Sequence, residues 1–200
     1  MKKTRVAVLV SGGGTNLQAL IDAGLKSGEI VLVLSSNPEA YALDRAKKAG
    51  IAAEAVDRKS CSSAKDFENR LLEKLEAYGA ELVVLAGFMC ILSRDFVMKY
   101  PDRIVNVHPS LIPAFCGAGF YGLKVHEAAL KYGVKVTGAT VHLVNEVPDG
   151  GRILLQKAVD IEENDTPESL QKRVMEQAEW LLLPKAVEML CERITKEKAE

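Results

Sequence analysis

Apolar segments of two kinds alternate along the first half of the chain. Short continuous runs, such as Leu82–Leu85, are followed by longer segments in which apolar residues recur every three or four positions, as in Ala64–Tyr78. The short runs are typical of strands buried on both faces of a parallel sheet, and the longer segments of amphipathic helices. Their alternation predicts a doubly wound α/β sheet. The predicted strands are Arg5–Val10, Ile30–Leu34, Ala52–Val56, Leu82–Leu85 and Arg103–His108; the predicted helices are one that carries Leu17, Leu20, Ile21 and Leu25, then Ala40–Ala49, Ala64–Tyr78 and Arg94–Tyr100.

The pattern changes in the second half. After a predicted helix over Lys124–Tyr132, two strand-like segments, Lys135–Val144 and Ile153–Val159, follow each other with no helix between them. Strands joined by a short connection pair antiparallel, so we expect an antiparallel end to a mostly parallel, Rossmann-like open sheet. The remaining segment, Thr166–Ile194, predicts a long C-terminal helix that Pro184 should kink or divide.

Composition and charge exclude several classes of protein. With 200 residues, 48% of them hydrophobic, the chain can bury a substantial core. Its formal net charge of −1 gives no general field that would attract nucleic acid or an acidic membrane. No segment approaches the ~20 apolar residues of a membrane span, and the N-terminal apolar run is too short for a secretory signal. We therefore expect one cytoplasmic domain over residues 1–200 that acts on small molecules as a monomer or homodimer, with no nucleic-acid or membrane partner.

The segment SGGGTN, Ser11–Asn16, joins the first predicted strand to the first helix. In such folds this junction presents backbone N–H groups and the positive end of a helix to an anion. The dinucleotide fingerprint would need a glycine at Leu17 and an acidic residue near Ser35, and neither is present. The loop therefore favours a single phosphate over a pyrophosphate. The alternative is a tight turn in which Thr15 or Asn16 caps the helix.

Asn106 and His108 interrupt the apolar pattern of the strand Arg103–His108. They share one face at the carboxyl end of a strand, where ligands bind in open α/β sheets, and Pro109 should end the strand there. An amide and a protonated imidazole can both donate to a developing oxyanion. Asp149, in the turn PDGG, would raise the pKa of His108 if it lay nearby and would keep the ring protonated near neutral pH. The alternative is that the pair only anchors the loop that follows.

The other histidines and the cysteines give weaker signals. His126 lies in a predicted helix and is interpreted as a surface or packing residue. His142 is interpreted as a partly buried structural residue, with a catalytic role as the alternative. No spacing among the three histidines is typical of a zinc site, and the four cysteines include no CxxC pair, so we expect no metal.

Several segments together resemble the phosphoribosylglycinamide formyltransferases, which are folate-dependent enzymes of purine biosynthesis. In order, these segments are AVLVSGGGTNLQAL, VVLAGFMCILS, NVHPSLIPAF, TGATVHLV, DGG and ILLQ. The pattern NxHPSLxP with a downstream aspartate is typical of the folate formyltransferase superfamily, and SGGGTNLQ and AGFM indicate the glycinamide ribonucleotide branch. The resemblance implies direct transfer of a formyl group from the co-substrate 10-formyltetrahydrofolate to the amine of glycinamide ribonucleotide.

The same resemblance implies roles for individual residues. The catalytic residues would be Asn106, His108 and Asp149. The ribonucleotide-binding residues would be Gly14, Thr15 and Asn16 at the phosphate and Glu179 at the ribose, although composition alone indicates that Glu179 is a solvated helix residue. The folate-binding residues would be Met89, Cys90, Ile91, Leu92, Asn106, Asn145, Glu146, Val147 and Pro148, with Lys65 as the candidate for the glutamate tail.

Three positions depart from the commonest family pattern. The loop FCGAGFYGLKVHEA replaces a shorter PGLxAH-type segment, Cys90 stands where many relatives carry arginine, and Arg152 stands where proline is common. Two alternatives keep the superfamily but change the acceptor: hydrolysis of formyltetrahydrofolate and formylation of initiator methionyl-tRNA, whose enzymes carry an additional domain. A third alternative, a non-catalytic nucleotide-binding module, would explain SGGGTN but would leave Asn106, His108 and Asp149 without a role.

Overall fold

The computed structural model describes residues 2–199. Seven strands of the described chain form one sheet in the order β3-β2-β1-β4-β5-β6-β7. The first five run parallel, β6 is antiparallel to β5, and β7 is antiparallel to β6. The predicted fold class, with its antiparallel end, is confirmed. The strands are β1 (Thr4–Val10), β2 (Gly28–Ser35), β3 (Ala53–Ala55), β4 (Leu82–Leu85), β5 (Ile104–His108), β6 (Val136–Leu143) and β7 (Ile153–Asp160).

Helices connect the parallel strands and follow the last one. None of the helices within residues 2–199 is both long and apolar enough to cross a membrane. The helices are α1 (Thr15–Ala23), α2 (Tyr41–Lys48), α3 (Ala64–Ala77), α4 (Arg94–Val97), α5 (Leu123–Tyr132), α6 (Pro167–Val174), a π-helical turn (Met175–Glu179) and α7 (Trp180–Glu197).

Strand β1 shows why its sequence is apolar at consecutive positions. Val6, Val8 and Val10 are fully buried in a cluster with residues of α1, α2, α6 and α7. Ala7 and Leu9 are fully buried in a second cluster with residues of α3 and α4. Because successive side chains of a strand point to opposite faces, a strand that is covered on both faces needs an uninterrupted apolar run. Each fully buried valine or leucine contributes about 1.5–3 kcal/mol.

The first helix begins at a glycine and not at a side-chain cap. Its N-cap is Gly14, with φ of 72°, and no side chain caps the helix. A Cβ on Gly14 would lie 2.6 Å from the Cβ of Ala42, so only glycine fits between the loop and α2. Thr15 Oγ1 instead donates to Met175 Sδ, and Asn16 contacts Glu179. The alternative in which Thr15 or Asn16 caps the helix does not hold, because both side chains face the C-terminal helices and not their own backbone.

The long C-terminal helical segment is confirmed, but its irregularity lies elsewhere than predicted. Pro184 lies inside α7, which continues to Glu197. The interruption is the π-helical turn Met175–Glu179, directly before α7. Pro184 cannot donate to the carbonyl of Trp180, four residues earlier, and its ring crowds that carbonyl. The wider π turn ends immediately before Trp180, so the backbone deviates upstream of the proline and not at it.

Candidate active site

A cavity of about 620 Å³ lies at the carboxyl ends of the parallel strands. Its walls come from the start of α1, the loop after β4, the end of β5, the loop before α5, the β6–β7 connection and the C-terminal helices. This is the edge at which open α/β sheets bind ligands, next to the point where the strand order reverses between β1 and β4. The volume is typical of a site for small molecules.

Asn106, His108 and Asp149 come together in one wall of this cavity. His108 Nδ1 lies 3.5 Å from Asp149 Oδ2, and Asn106 Nδ2 lies 3.5 Å from Asp149 Oδ1. Strand β5 places Asn106 and His108 on one face, and the β6–β7 connection supplies Asp149 at φ of 55°. Aspartate tolerates this left-handed conformation better than most residues. The N–H of Gly117, in the loop before α5, donates to Asp149 Oδ2 at 2.8 Å.

The pKa of His108 is lowered, whereas the sequence predicted a raised value. The side chain is buried, and burial, which disfavours the charged ring, is the largest cause. The Phe115 carbonyl, 2.9 Å from Nε2, and the charge of Asp149 act in the opposite direction without outweighing it. The prediction was wrong for the net shift because a sequence motif carries no information about burial, although the effect of Asp149 itself has the predicted sign.

The carboxyl group of Asp149 is held in its ionised form. Burial acts to raise its pKa, but the nearby His142 ring, the hydrogen bond from the N–H of Gly117 and the charge of His108 together lower it. A carboxylate that stays ionised beside a buried imidazole provides a fixed negative charge, and this charge favours the protonated form of His108.

His142 is a site residue that the sequence analysis interpreted as structural. Its Nε2 lies 3.2 Å from Asn106 Nδ2 and 3.5 Å from Asp149 Oδ1, and its Nδ1 lies 2.8 Å from the Leu143 carbonyl. In the tautomer with the proton on Nδ1, the Leu143 carbonyl accepts a hydrogen bond from Nδ1, and Nε2 is left to accept from Asn106. Asn106 and His142 are direct partners across β5 and β6. The signal in the sequence was a second polar residue within an apolar strand, but the register that joins the two strands could not be read from it.

His126 is a packing residue and not a surface residue. It is fully buried in α5, and neither ring nitrogen has a hydrogen-bond partner among the described residues. Burial, together with the charge of nearby His108, lowers the pKa of His126 to about 4, so the ring is neutral near pH 7.

Asn16 and Glu179 form a buried pair in a different part of the cavity wall. Asn16 Nδ2 donates to Glu179 Oε2 at 2.7 Å, and the two residues are 8% and 6% exposed. Burial raises the pKa of Glu179 to about 7, and the hydrogen bond from Asn16 opposes this shift. The composition-based interpretation of Glu179 as a solvated residue was therefore wrong. The π-helical turn places Met175 and Glu179, at its two ends, in the cavity lining.

The raised pKa of Glu179 predicts a pH-dependent difference in stability between the wild type and Glu179→Gln. The folded state binds this proton more tightly than the unfolded state, so the contribution of Glu179 is fully present below about pH 4.5 and is lost as pH rises to about 7. One pKa unit corresponds to about 1.4 kcal/mol, which sets a ceiling of roughly 3 kcal/mol. We expect Glu179→Gln to match the wild type at pH 4.5 and to exceed its free energy of unfolding by about 1–3 kcal/mol at pH 8.

Urea unfolding of both proteins across this pH range measures the difference. The matched control is Glu176→Gln, an exposed carboxyl on the same π-helical turn, which should follow the wild type at every pH. A difference between Glu179→Gln and the wild type that does not change with pH would contradict a buried, titrating carboxyl group.

The residues predicted to bind folate line a second region of the cavity. Three apolar side chains there are conspicuously open to solvent: Met89 is 54% exposed, Ile91 74% and Val147 55%. Exposed apolar side chains that cluster at a cavity mark a ligand surface. Residues from the loop after β4 and from the β6–β7 connection both contribute. The cavity lining includes Asp149 and the predicted folate-binding residues Met89, Cys90, Ile91, Leu92, Asn106, Asn145, Glu146, Val147 and Pro148.

Three of the predicted binding residues do not line the cavity. Gly14 and Thr15 lie just before Asn16 at the start of α1, outside the lining itself. Lys65 is exposed in the first turn of α3, also outside it. Among residues 2–199, no group of three or more histidine, cysteine, aspartate or glutamate side chains is arranged to hold a metal ion.

Known proteins that are similar to this chain carry related names. The formyl transferase family model matches residues 4–187. The phosphoribosylglycinamide formyltransferase of Haemophilus influenzae is 38% identical over 195 residues, which is 96% of this chain and 88% of that protein. The trifunctional purine biosynthetic protein adenosine-3 of Gallus gallus is 44% identical over 191 residues, which is 94% of this chain. The chain spans only 18% of the length of that trifunctional relative.

Solved structures agree with the family match. Glycinamide ribonucleotide transformylase 1 from Symbiobacterium toebii has a TM-score of 0.89 at 41% identity, covering 95% of this chain and 88% of that one. Phosphoribosylglycinamide formyltransferase from Anaplasma phagocytophilum has a TM-score of 0.86 at 39% identity, covering 96% of this chain and 89% of that one. These likenesses confirm the resemblance that the sequence motifs indicate. The chain belongs to the formyl transferase family.

Proposed function

We propose that the protein transfers the formyl group of 10-formyltetrahydrofolate to the amine of 5'-phosphoribosylglycinamide (glycinamide ribonucleotide). The products are N-formylglycinamide ribonucleotide and tetrahydrofolate, as in de novo purine biosynthesis. The observation that carries the proposal is the 3.5 Å contact between His108 Nδ1 and Asp149 Oδ2, beside Asn106 in the wall of the cavity. Membership of the formyl transferase family and the names of the relatives support it.

Two different surfaces of the cavity suit two different substrates. The buried polar pair Asn16 and Glu179, with the glycine loop beside it, suits the ribose and phosphate of the ribonucleotide. The exposed apolar side chains of Met89, Ile91 and Val147 suit the flat ring system of a folate. Lys65 remains our proposal for the glutamate tail, which would extend out of the cavity.

At the reaction centre, Asn106 and His108 are proposed to donate hydrogen bonds to the formyl oxygen as it becomes negative. His108 Nε2 now contacts the Phe115 carbonyl, so a formyl oxygen would take the place of that carbonyl. The negative charge that develops there favours the charged imidazole and offsets the burial that lowers its pKa. In other enzymes, removing one such donor costs on the order of 2.7–4 kcal/mol of transition-state stabilisation.

Asp149 is proposed to stabilise the imidazolium and to organise proton movement. The amine nitrogen attacks the formyl carbon, the bond from that carbon to the folate nitrogen breaks, and the proton leaves the amine for the folate nitrogen through water held by the carboxylate. Transfer would be direct, because the side chains of Ser110 and Cys116, the hydroxyl and thiol nearest to His108 in the sequence, both donate to backbone carbonyls. The nearest hydroxyl in sequence, Ser110, is fully buried and donates to the Ala114 carbonyl at 2.6 Å.

An assay that offers each acceptor separately tests this proposal. Formyltetrahydrofolate with a radiolabelled formyl group is incubated with the protein and glycinamide ribonucleotide, water alone or methionyl-tRNA. We expect label to appear in the ribonucleotide and not in formate or tRNA. Label in formate or tRNA would favour one of the two alternative acceptors. No turnover, together with no binding of a folate analogue by calorimetry, would favour a nucleotide-binding module.

We further propose that residues 1–200 act as one cytoplasmic domain, as a monomer or homodimer, on small molecules alone. The formal net charge of −1 supports the absence of a nucleic-acid partner.

A further inference from the structure

The carbonyl groups of Gly12, Gly13 and Gly14 in the glycine loop all accept hydrogen bonds. Gly12 O accepts from the N–H of Ala42 at 3.1 Å, and Gly14 O accepts from the N–H of Gln18 at 2.9 Å. Between them, Gly13 O accepts from the side chain of Arg45, whose Nε lies 2.8 Å away. Helix α2 therefore supplies the donors for two of the three glycine carbonyls, and Arg45 is the only side chain among these donors.

The N–H groups of the same segment are free. From Gly12 to Asn16, no N–H has an acceptor among the described residues. Asn16 Oδ1, on a side chain that lines the cavity and is 8% exposed, also has no partner among these residues. A ligand that presents an anion to the N–H groups and a hydroxyl group to this oxygen would satisfy both, as a sugar phosphate does.

Arg45 is fixed at three points. Besides Gly13 O, its Nη1 donates to Gln18 Oε1 at 3.0 Å, and its guanidinium lies 5.0 Å from the centre of the Tyr41 ring. It forms no salt bridge with a carboxylate among residues 2–199. The planar guanidinium of Arg45 bonds both to the loop and to the first turn of α1, and so restricts the loop to one conformation. The flexible ammonium group of a lysine could not hold both contacts in a fixed geometry.

We propose that Arg45 is a positioning residue for the phosphate-binding loop. By holding Gly13 O against α2 it turns the adjacent N–H groups toward the phosphate of the substrate, and it adds a positive charge behind the loop. This inference rests on the proposed function, because it assigns the phosphate of the ribonucleotide to Gly14, Thr15 and Asn16. Arg45 does not line the cavity, and its Nε bonds to the loop from α2.

The test compares Arg45→Met, Arg45→Lys and the matched control Lys48→Met. Lys48 lies on the same helix and also faces the Tyr41 ring, at 5.7 Å, but among residues 2–199 no hydrogen bond joins its side chain to the loop. For Arg45→Met we expect about a tenfold rise in KM for the ribonucleotide with kcat and the KM for folate within about twofold, because the loop acts on binding of the phosphate and not on the chemistry. Arg45→Lys should show most of this rise, and Lys48→Met none.

Calorimetry with ribose 5-phosphate separates this inference from the proposed function. Its Kd should rise about tenfold in Arg45→Met, whether or not the protein transfers formyl groups. If Arg45→Met does not fold, Gln18→Met removes the contact to Nη1, together with an exposed hydrogen bond from Gln18 Nε2 to Asp22 Oδ1 within α1, and should raise this Kd about threefold. An unchanged Kd in the variant that folds would overturn the proposal. Full rescue by lysine would overturn it too, since charge alone would then suffice, and so would an equal loss of folate affinity, which would indicate general damage.

Discussion

Replacing His108 by alanine is expected to lower kcat at least a hundredfold while the affinity for the ribonucleotide is retained. The ring is nearly inaccessible, and its Nε2 is the donor that a formyl oxygen would meet. Among residues 2–199, no hydrogen bond or ion pair joins His108 to the Asn16–Glu179 pair that we assign to the ribonucleotide. Removal of one oxyanion donor typically costs on the order of 10²–10³ in kcat, and a donor used only in the transition state lowers kcat without raising KM.

Single-turnover kinetics and calorimetry with the ribonucleotide measure the two quantities in the same preparation. If His108→Ala kept a kcat near that of the wild type, His108 would not be a catalytic residue. A variant that loses ribonucleotide binding in parallel would show that the ring supports the architecture of the cavity and not the chemistry.

Asp149→Asn is expected to lower kcat about a hundredfold at pH 8 and by less at pH 5, because proton-transfer groups typically contribute 10²–10⁴-fold. Asparagine keeps the shape of the side chain and tolerates the left-handed backbone at φ of 55°. It removes the charge that opposes the lowering of the His108 pKa. The pKa of His108 should therefore fall further, and the protonated fraction should be lost at lower pH.

The sign of this effect is tested by the pH profile of kcat/KM. The descending limb of the profile, on the basic side, should move to lower pH in Asp149→Asn. The matched control is Asp160→Asn, which removes an exposed carboxyl at the end of β7, away from the cavity lining, and should leave the profile unchanged. A basic limb that moves to higher pH would contradict the role assigned to Asp149.

The sequence predicted those parts of the site that follow from local periodicity. Alternation along β5 placed Asn106 and His108 on one face, and an apolar run closed by a proline placed them at the end of a strand. Asp149 could be assigned only through the family resemblance, since it is 41 positions beyond His108 in the numbering and approaches through an antiparallel hairpin. The position of His142 beside Asn106 depends on the register between β5 and β6, and these two residues are 36 positions apart in the sequence.

Burial was the property that sequence reasoning could not supply. The electrostatic argument gave the charge of Asp149 the correct direction of influence on the pKa of His108, but the net pKa depends on how far the neighbours exclude water from the ring. The same property turns Glu179 from an expected surface residue into a carboxyl group with a pKa of about 7. Both differences arise from long-range packing, which periodicity does not encode.

The π-helical turn Met175–Glu179 has a consequence for how this family member tolerates length changes. A π turn is an α-helix with one residue too many, so deletion of a single residue there would restore regular winding. Each residue of an α-helix turns the chain by about 100°, and such a deletion would swing Glu179 out of register with Asn16. The contact between the glycine loop and the C-terminal helices therefore depends on the number of residues in the π-helical turn. An insertion or deletion that a surface loop would tolerate would here break the hydrogen bond between Asn16 and Glu179.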